Sequence, residues 1–142
     1  MDKIDNLADP RVQRAINGER IAVLATVQPD GGPLAMPMWF VFDEESIGMV
    51  SVDRLRKVHN IRRDPRVCVT VDGGARDATW CVIVQGRAEF VTSAGERHLL
   101  AERFLVRYGA TLESRWGGRT VPADRTFFRI VPERITAWGL PE

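Results

Sequence analysis

Apolar residues recur with a period of two in several short runs, separated by Pro, Gly and Asp, and with a helical period in three other stretches. Arg20 to Val27, rich in Ile, Val, Leu and Ala, predicts a buried strand. Pro29-Asp30-Gly31-Gly32 predicts a turn, from which Leu34 to Phe42 returns as the hairpin partner. Pro37 has no backbone donor and marks a bulge or an unpaired position in that strand. Ile47 to Val52 predicts a third strand, and Arg66 to Val71 a fourth with Val67, Val69 and Val71 on one face. Thr79 to Val91 predicts a long fifth strand bent at Gly86. Arg125 to Val131 and Ile135 to Trp138 predict the last two, broken at Pro132.

Helical signals are equally local. Asp9 as N-cap, Pro10 at the first helical position and Gly18 as a stop predict a helix over 10–17. Leu55, Val58 and Ile61, spaced by three, predict a helix over 54–63 with Asp53 as its N-cap, ended by Asp64-Pro65. Ser93 to Tyr108 predicts an amphipathic helix carrying Leu99, Leu100, Phe104 and Leu105 and stopped by Gly109. Residues 72–77 and 110–124 predict loops. The sum is one α+β domain over 1–142, with six or seven mainly antiparallel strands and two or three helices. Closure into a small barrel would remove the edges of such a sheet.

With 142 residues, 44% of them apolar and 27% charged, the chain can bury a core without a metal or disulfide staple. A formal net charge of +1 argues against a nucleic-acid binder. Cys68 and Cys81 sit in strand-like runs and read as small buried apolar residues. With His59 and His98 they form no metal-ligand spacing. The absence of a signal-like N-terminus and of a long apolar run predicts a cytoplasmic protein with no membrane span.

Charge placement alters this bland picture in one segment. Arg54, Arg56 and Lys57 crowd the start of a predicted helix, where the helix dipole disfavours cations by a few tenths of a kcal/mol each. Free N–H groups and these side chains together would hold an anion there. Either a phosphate-type site or a solvated basic face fits that pattern. Trp39 and Phe42, with Met36, Met38 and Met49, could be core or could wall a flat ring. Ser51 could donate to a phosphate or polyol oxygen, or cap the helix. His59, His98 and Tyr108 are the candidate proton donors, and no nucleophile–base pair, carboxylate pair or Gly-rich nucleotide loop is present. An enzyme built on this chain would take its reactivity from a cofactor.

Several segments carry a family resemblance: Ile21-Ala22-Val23-Leu24-Ala25-Thr26, the Asp30-Gly31 turn, Pro37-Met38-Trp39-Phe40, the run from Arg56 to Val67, Gly86-Arg87-Ala88-Glu89, and Arg134 to Trp138. Over nearly its whole length the chain resembles the flavin-binding split-barrel superfamily related to pyridoxamine 5'-phosphate oxidase. Within it, the chain is similar above all to the reductases that use the deazaflavin coenzyme F-420. The resemblance implies a split β-barrel that forms a homodimer with cofactor sites at the subunit interface. It implies that Arg56 and Lys57 clamp a phosphate, with Asn60 a supporting polar contact. Val50 and Ser51 would lie along the polyol chain, and Met36, Pro37, Met38 and Trp39 would wall the tricyclic ring. The Ala137-Trp138-Gly139-Leu140-Pro141 ending lacks the arginine of the Arg-Leu-x-Pro ending that helps a pyridoxamine phosphate oxidase hold its substrate, so vitamin B6 oxidation is not expected.

The expected activity is therefore hydride transfer from reduced coenzyme F-420 to a conjugated C=C or C=N bond, as in a biliverdin-like tetrapyrrole or an unsaturated ring ketone. Arg54 and Arg63 would favour the coenzyme's anionic tail, and loops 73–78 and 110–124 would face the substrate. Two rivals remain: an FMN-dependent oxidoreductase of the same fold, and a non-catalytic carrier of flavin, deazaflavin or haem.

Overall fold

A computed structural model of the chain describes residues 1–74 and 77–141. The elements are β1 (Asp2–Ile4), α1 (Pro10–Asn17), β2 (Ala22–Val27), β3 (Pro33–Met38), β4 (Val41–Phe42), β5 (Ile47–Val52), α2 (Arg56–Arg63), β6 (Arg66–Gly73), β7 (Asp77–Val91), α3 (Ala94–Tyr108), α4 (Ala110–Trp116) and β8 (Arg125–Trp138). All described pairings are antiparallel, in the order β3-β2-β6-β7-β8-β5-β4, with β1 added to β8.

The two ends of that order, β3 and β4, are consecutive in sequence and separated only by Trp39 and Phe40. The three Cα steps from Met38 to Val41 span roughly 11 Å at most. The sheet must therefore curl until its ends nearly meet, which makes it a split barrel. Inward residues of alternating strands, among them Leu24, Met38, Met49, Val69, Val84, Phe128 and Ile135, fill the barrel, and Val12 and Ile16 of α1 plug it. A second cluster lies under α3 and α4, where Leu100, Phe104, Leu105 and Leu112 pack on Val41, Val91 and Phe127.

Four expectations need correction. Helix α2 starts at Arg56, with Leu55 in the N-cap position and no side-chain cap, so Asp53 does not cap it. The Asp53 N–H instead donates to the Asp124 carbonyl at 2.9 Å, and Arg54 lies ahead of the helix. Residues 110–116, within the stretch 110–124 expected as a loop, form the helix α4, ended by Gly117 in the left-handed conformation (φ 73°). Pro132 does not break β8. It lies opposite Gly86 at a register shift, so one long bent strand replaces the two expected. Of the loop expected over 72–77, residues 75–76 lie outside the described residues, and Asp72–Gly73 and Asp77 belong to strands.

Residues on the outer face of the β3-β2-β6-β7-β8 half line up through the strand registers. One row runs Pro37, Val23, Thr70, Ile83 and Thr136. A neighbouring row runs Ala35, Ala25, Cys68 and Gln85. This face is small-residued and largely apolar, and Val23 is 40% exposed on it.

Candidate functional site

The site is built where the β3–β4 corner meets the start of α2. Along β3 the side chains alternate, so Leu34, Met36 and Met38 turn toward the barrel while Pro33, Ala35 and Pro37 face out. Met38 is buried in the barrel core and Met36 packs against it. Pro37 tolerates its missing donor because β3 ends the sheet and pairs only with β2. Trp39 leaves the strand on the other side. Its ring stacks on Tyr108 with centroids 4.6 Å apart and planes 10° apart, and it packs with Val50 against the second cluster.

Tyr108 braces this corner. Its oxygen accepts from the Phe40 N–H at 2.7 Å and lies 2.8 Å from the Arg20 carbonyl and 2.9 Å from the Phe40 carbonyl, one of which takes its single proton. Burial pushes its pKa up, against the opposing effect of the Phe40 N–H. The hydroxyl is thus committed to the backbone. His59 and His98, the other candidate proton donors, are exposed on α2 and α3.

Lys57 is the unusual group. Its side chain is half-buried, and its Nζ donates to the Met38 sulfur at 3.2 Å. Burial pushes its pKa below the ordinary lysine value of 10.5, and no carboxylate among the described residues pairs with it. A thioether is a weak acceptor, so the ammonium is under-compensated. Arg56 beside it is exposed and likewise has no ion-pair partner among the described residues. The first turn of α2 holds no acidic residue. Lys57, Arg56 and the uncapped N-terminus of α2 thus bring donors of one sign to the start of a single helix. This arrangement suits an anion bound next to the Met38 wall.

The remaining expected contacts divide. Ser51 is buried and its hydroxyl donates to the Val52 carbonyl at 3.0 Å, so it does not cap α2. Asn60 is 1% exposed and turned inward, where its amide donates to Thr26 Oγ1 at 3.0 Å and its oxygen accepts from Arg63 at 3.5 Å. Arg63 is also bonded to the Val27 carbonyl. Arg54 pairs with Asp124 at 3.5 Å. Both arginines expected to serve an anionic tail are thus engaged by the protein itself. Thr26 and Asp124 are contacts the sequence reading did not single out. Thr26 was findable as the polar residue in an otherwise apolar strand, whereas nothing in the sequence marks Asp124. No group of three or more His, Cys, Asp or Glu among the described residues could hold a metal ion, and no described helix is long and apolar enough to cross a membrane.

The chain belongs to the pyridoxamine 5'-phosphate oxidase family, which matches it over residues 8–139. Among solved structures it is similar to a conserved hypothetical protein from Mycobacterium tuberculosis, at 25% identity and a TM-score of 0.78, covering 100% of this chain and 95% of that one. It is also similar to an F-420 reductase, at 27% identity and a TM-score of 0.59, covering 82% of this chain and 88% of that one. The heme storage protein from Vibrio cholerae shares the fold at 20% identity and a TM-score of 0.76, covering 93% of this chain and 95% of that one. The family match places the chain among oxidase-like proteins of this fold, and the likeness to the heme storage protein shows the fold alone.

Proposed function

We propose that this chain is a coenzyme F-420-dependent reductase that delivers a hydride to a conjugated C=C or C=N bond of a flat acceptor. The observation that carries the reading is the half-buried Lys57 ammonium, held against Met38 at the uncapped start of α2 and without a carboxylate partner among the described residues. An anionic group would supply the missing charge. Lys57 and Arg56 would hold the coenzyme's phosphate, and the backbone running from Met36 through Pro37 and Met38 to Trp39, with the outward Pro37 ring, would flank its ring system. The bound coenzyme would supply the hydride. This chain's residues would orient it and shield one face from water. The likeness to an F-420 reductase at 27% identity supports the choice of coenzyme.

The protein would work as a homodimer. The outer face through Val23, Pro37, Thr70, Ile83 and Thr136 is largely apolar, with Val23 40% exposed in one chain, and it runs up to Pro37. A second copy covering that face would close the cofactor site from the open side.

A second reading, an FMN-dependent oxidoreductase, is favoured by the engagement of Arg54 and Arg63 within the protein. That engagement leaves neither arginine free for a long anionic tail. The deciding experiment is anaerobic incubation of the protein with reduced coenzyme F-420 and a panel of conjugated acceptors, followed by coenzyme reoxidation. Acceptor-dependent reoxidation supports the reading. Reoxidation with reduced FMN alone moves the protein to the second reading, and tight haem or flavin binding without turnover makes it a carrier.

A further inference from the structure

Helix α2 carries the proposed anion clamp, yet its own start does little to fix it. Leu55 in the N-cap position offers no capping side chain, and the helix is only eight residues long. A polar contact is made on its buried side. Asn60 lies three and four residues after Lys57 and Arg56, so its side chain leaves the helix one turn below theirs. It is 1% exposed, and its amide donates to Thr26 Oγ1 at 3.0 Å across the gap to β2. Thr26 is itself 2% exposed and is fixed in the sheet between Leu34 of β3 and Val67 of β6. Arg63 closes the lower end by bonding the Asn60 oxygen and the Val27 carbonyl, the next residue along β2.

We infer that Thr26 and Asn60 form a positioning pair that sets the rotation of α2 and thereby seats Lys57 against Met38. Val58 and Ile61 bury one side of the helix and Arg62 lies over the Phe90 ring 4.4 Å from its centroid, non-directional contacts that fix its angle less sharply than a hydrogen bond does. A buried amide with a single good partner has only one low-energy orientation, because turning away leaves it unsatisfied. Asn60 therefore acts on a ligand through helix placement and not by touching it. Thr26 sits in the same strand as Val23, so the barrel wall and the anion clamp are indexed to one another through this bond. The inference rests on the reading of Arg56 and Lys57 as the clamp, but its test does not require the coenzyme.

Lys3 and Lys57 are the two lysines of the chain, so their acylation by acetic anhydride can be followed separately by mass spectrometry. In the native protein the pH midpoint of Lys57 acylation should lie below the ordinary lysine value of 10.5. In Thr26→Val that midpoint should return toward the ordinary value, and coenzyme F-420 affinity should fall about tenfold. Thr26→Ser, which keeps the hydroxyl, should retain both native values. If Thr26→Val does not fold, the double variant Thr26→Val/Asn60→Leu removes both polar partners at little cost in stability. It should show the same Lys57 shift. An unchanged Lys57 midpoint in a folded Thr26→Val or double variant would overturn the positioning role. A shifted midpoint in a protein whose native form does not bind coenzyme F-420 would uphold the positioning role and sink the coenzyme assignment.

Discussion

Trp39 and Tyr108 lie nearly parallel, 4.6 Å apart between ring centroids, and the Tyr108 hydroxyl is tied to the backbone of the very next residue, Phe40. The last residue of α3 thus clamps the two-residue corner at which the barrel passes from β3 to β4. Tyr108→Phe keeps the stack but removes the acceptor of the Phe40 N–H and a donor to the nearby carbonyls. We expect a loss of about 1–3 kcal/mol of stability, read by denaturant unfolding. A loss well under 0.5 kcal/mol would mean that the corner is held by the ring stack alone.

Lys57 sets up a trade between stability and binding. Its ammonium is partly desolvated and has only the Met38 sulfur for a partner among the described residues. Lys57→Met should keep or raise the thermal midpoint of the unliganded protein, because a poorly compensated charge is replaced by an apolar chain. The same substitution should weaken anion binding by about 1.5–3 kcal/mol, the worth of a charge-assisted hydrogen bond. Thermal scans with and without coenzyme check both halves. A variant destabilised without ligand and undiminished in binding would make Lys57 a structural residue.

The sign of the pH dependence follows from the same group. Burial lowers the Lys57 pKa in the folded protein below 10.5. Between the folded and unfolded values the unfolded chain binds more protons, so this lysine's contribution to stability rises with pH in that window. Anion binding runs the other way. It needs the charged form, is fullest below the folded pKa and should decline as pH rises through it, starting below the range of a free lysine. Binding isotherms across neutral to alkaline pH check this, and affinity flat to beyond pH 10.5 would count against a role for the Lys57 charge.

Gly86 is fixed by contact. A Cβ built there would stand 2.1 Å from the Val131 carbonyl oxygen, at the register shift where β7 and β8 bend together. Backbone cannot step aside as a side-chain tip can. Gly86→Ala should cost about 3 kcal/mol or more, as overpacking against main chain does. Chemical denaturation measures it directly.

The outer sheet face gives a test of assembly. Val23 is 40% exposed in one chain, so Val23→Glu should leave the fold of that chain intact. If a second copy covers this face, the charge should turn a dimer into a monomer in sedimentation and weaken coenzyme binding at the same time. A native protein that sediments as a monomer would remove the homodimer from the account.

Much of the barrel was legible because period-two runs such as Val67-Cys68-Val69-Thr70-Val71 admit one pattern of burial, and the strand pairs follow from the turns between them. The break expected at Pro132 failed because a proline on a bulge opposite a glycine bends a strand without ending it. Helix α4 leaves little signal in the sequence because it has seven residues, no capping side chain and only Leu112 buried. At the site, the excess of cations at the start of α2 could be read from the order of residues alone. The inward turn of Asn60 could not, since helix spacing places it equally well beside Arg56 and Arg63 on a polar face, and only the Thr26 hydroxyl waiting in β2 decides its direction. Likewise the partners that occupy Arg54 and Arg63 come from Asp124 and Val27, distant in sequence.

The measurement that tests the central claim most directly is an equilibrium titration of the native protein and of Lys57→Met with coenzyme F-420 and, separately, with FMN. The account predicts micromolar or tighter binding of the deazaflavin by the native protein, weaker binding of FMN, and a loss of about tenfold or more for the deazaflavin in the variant. Equal deazaflavin affinity in the two proteins, or no binding of either cofactor by the native one, would contradict it.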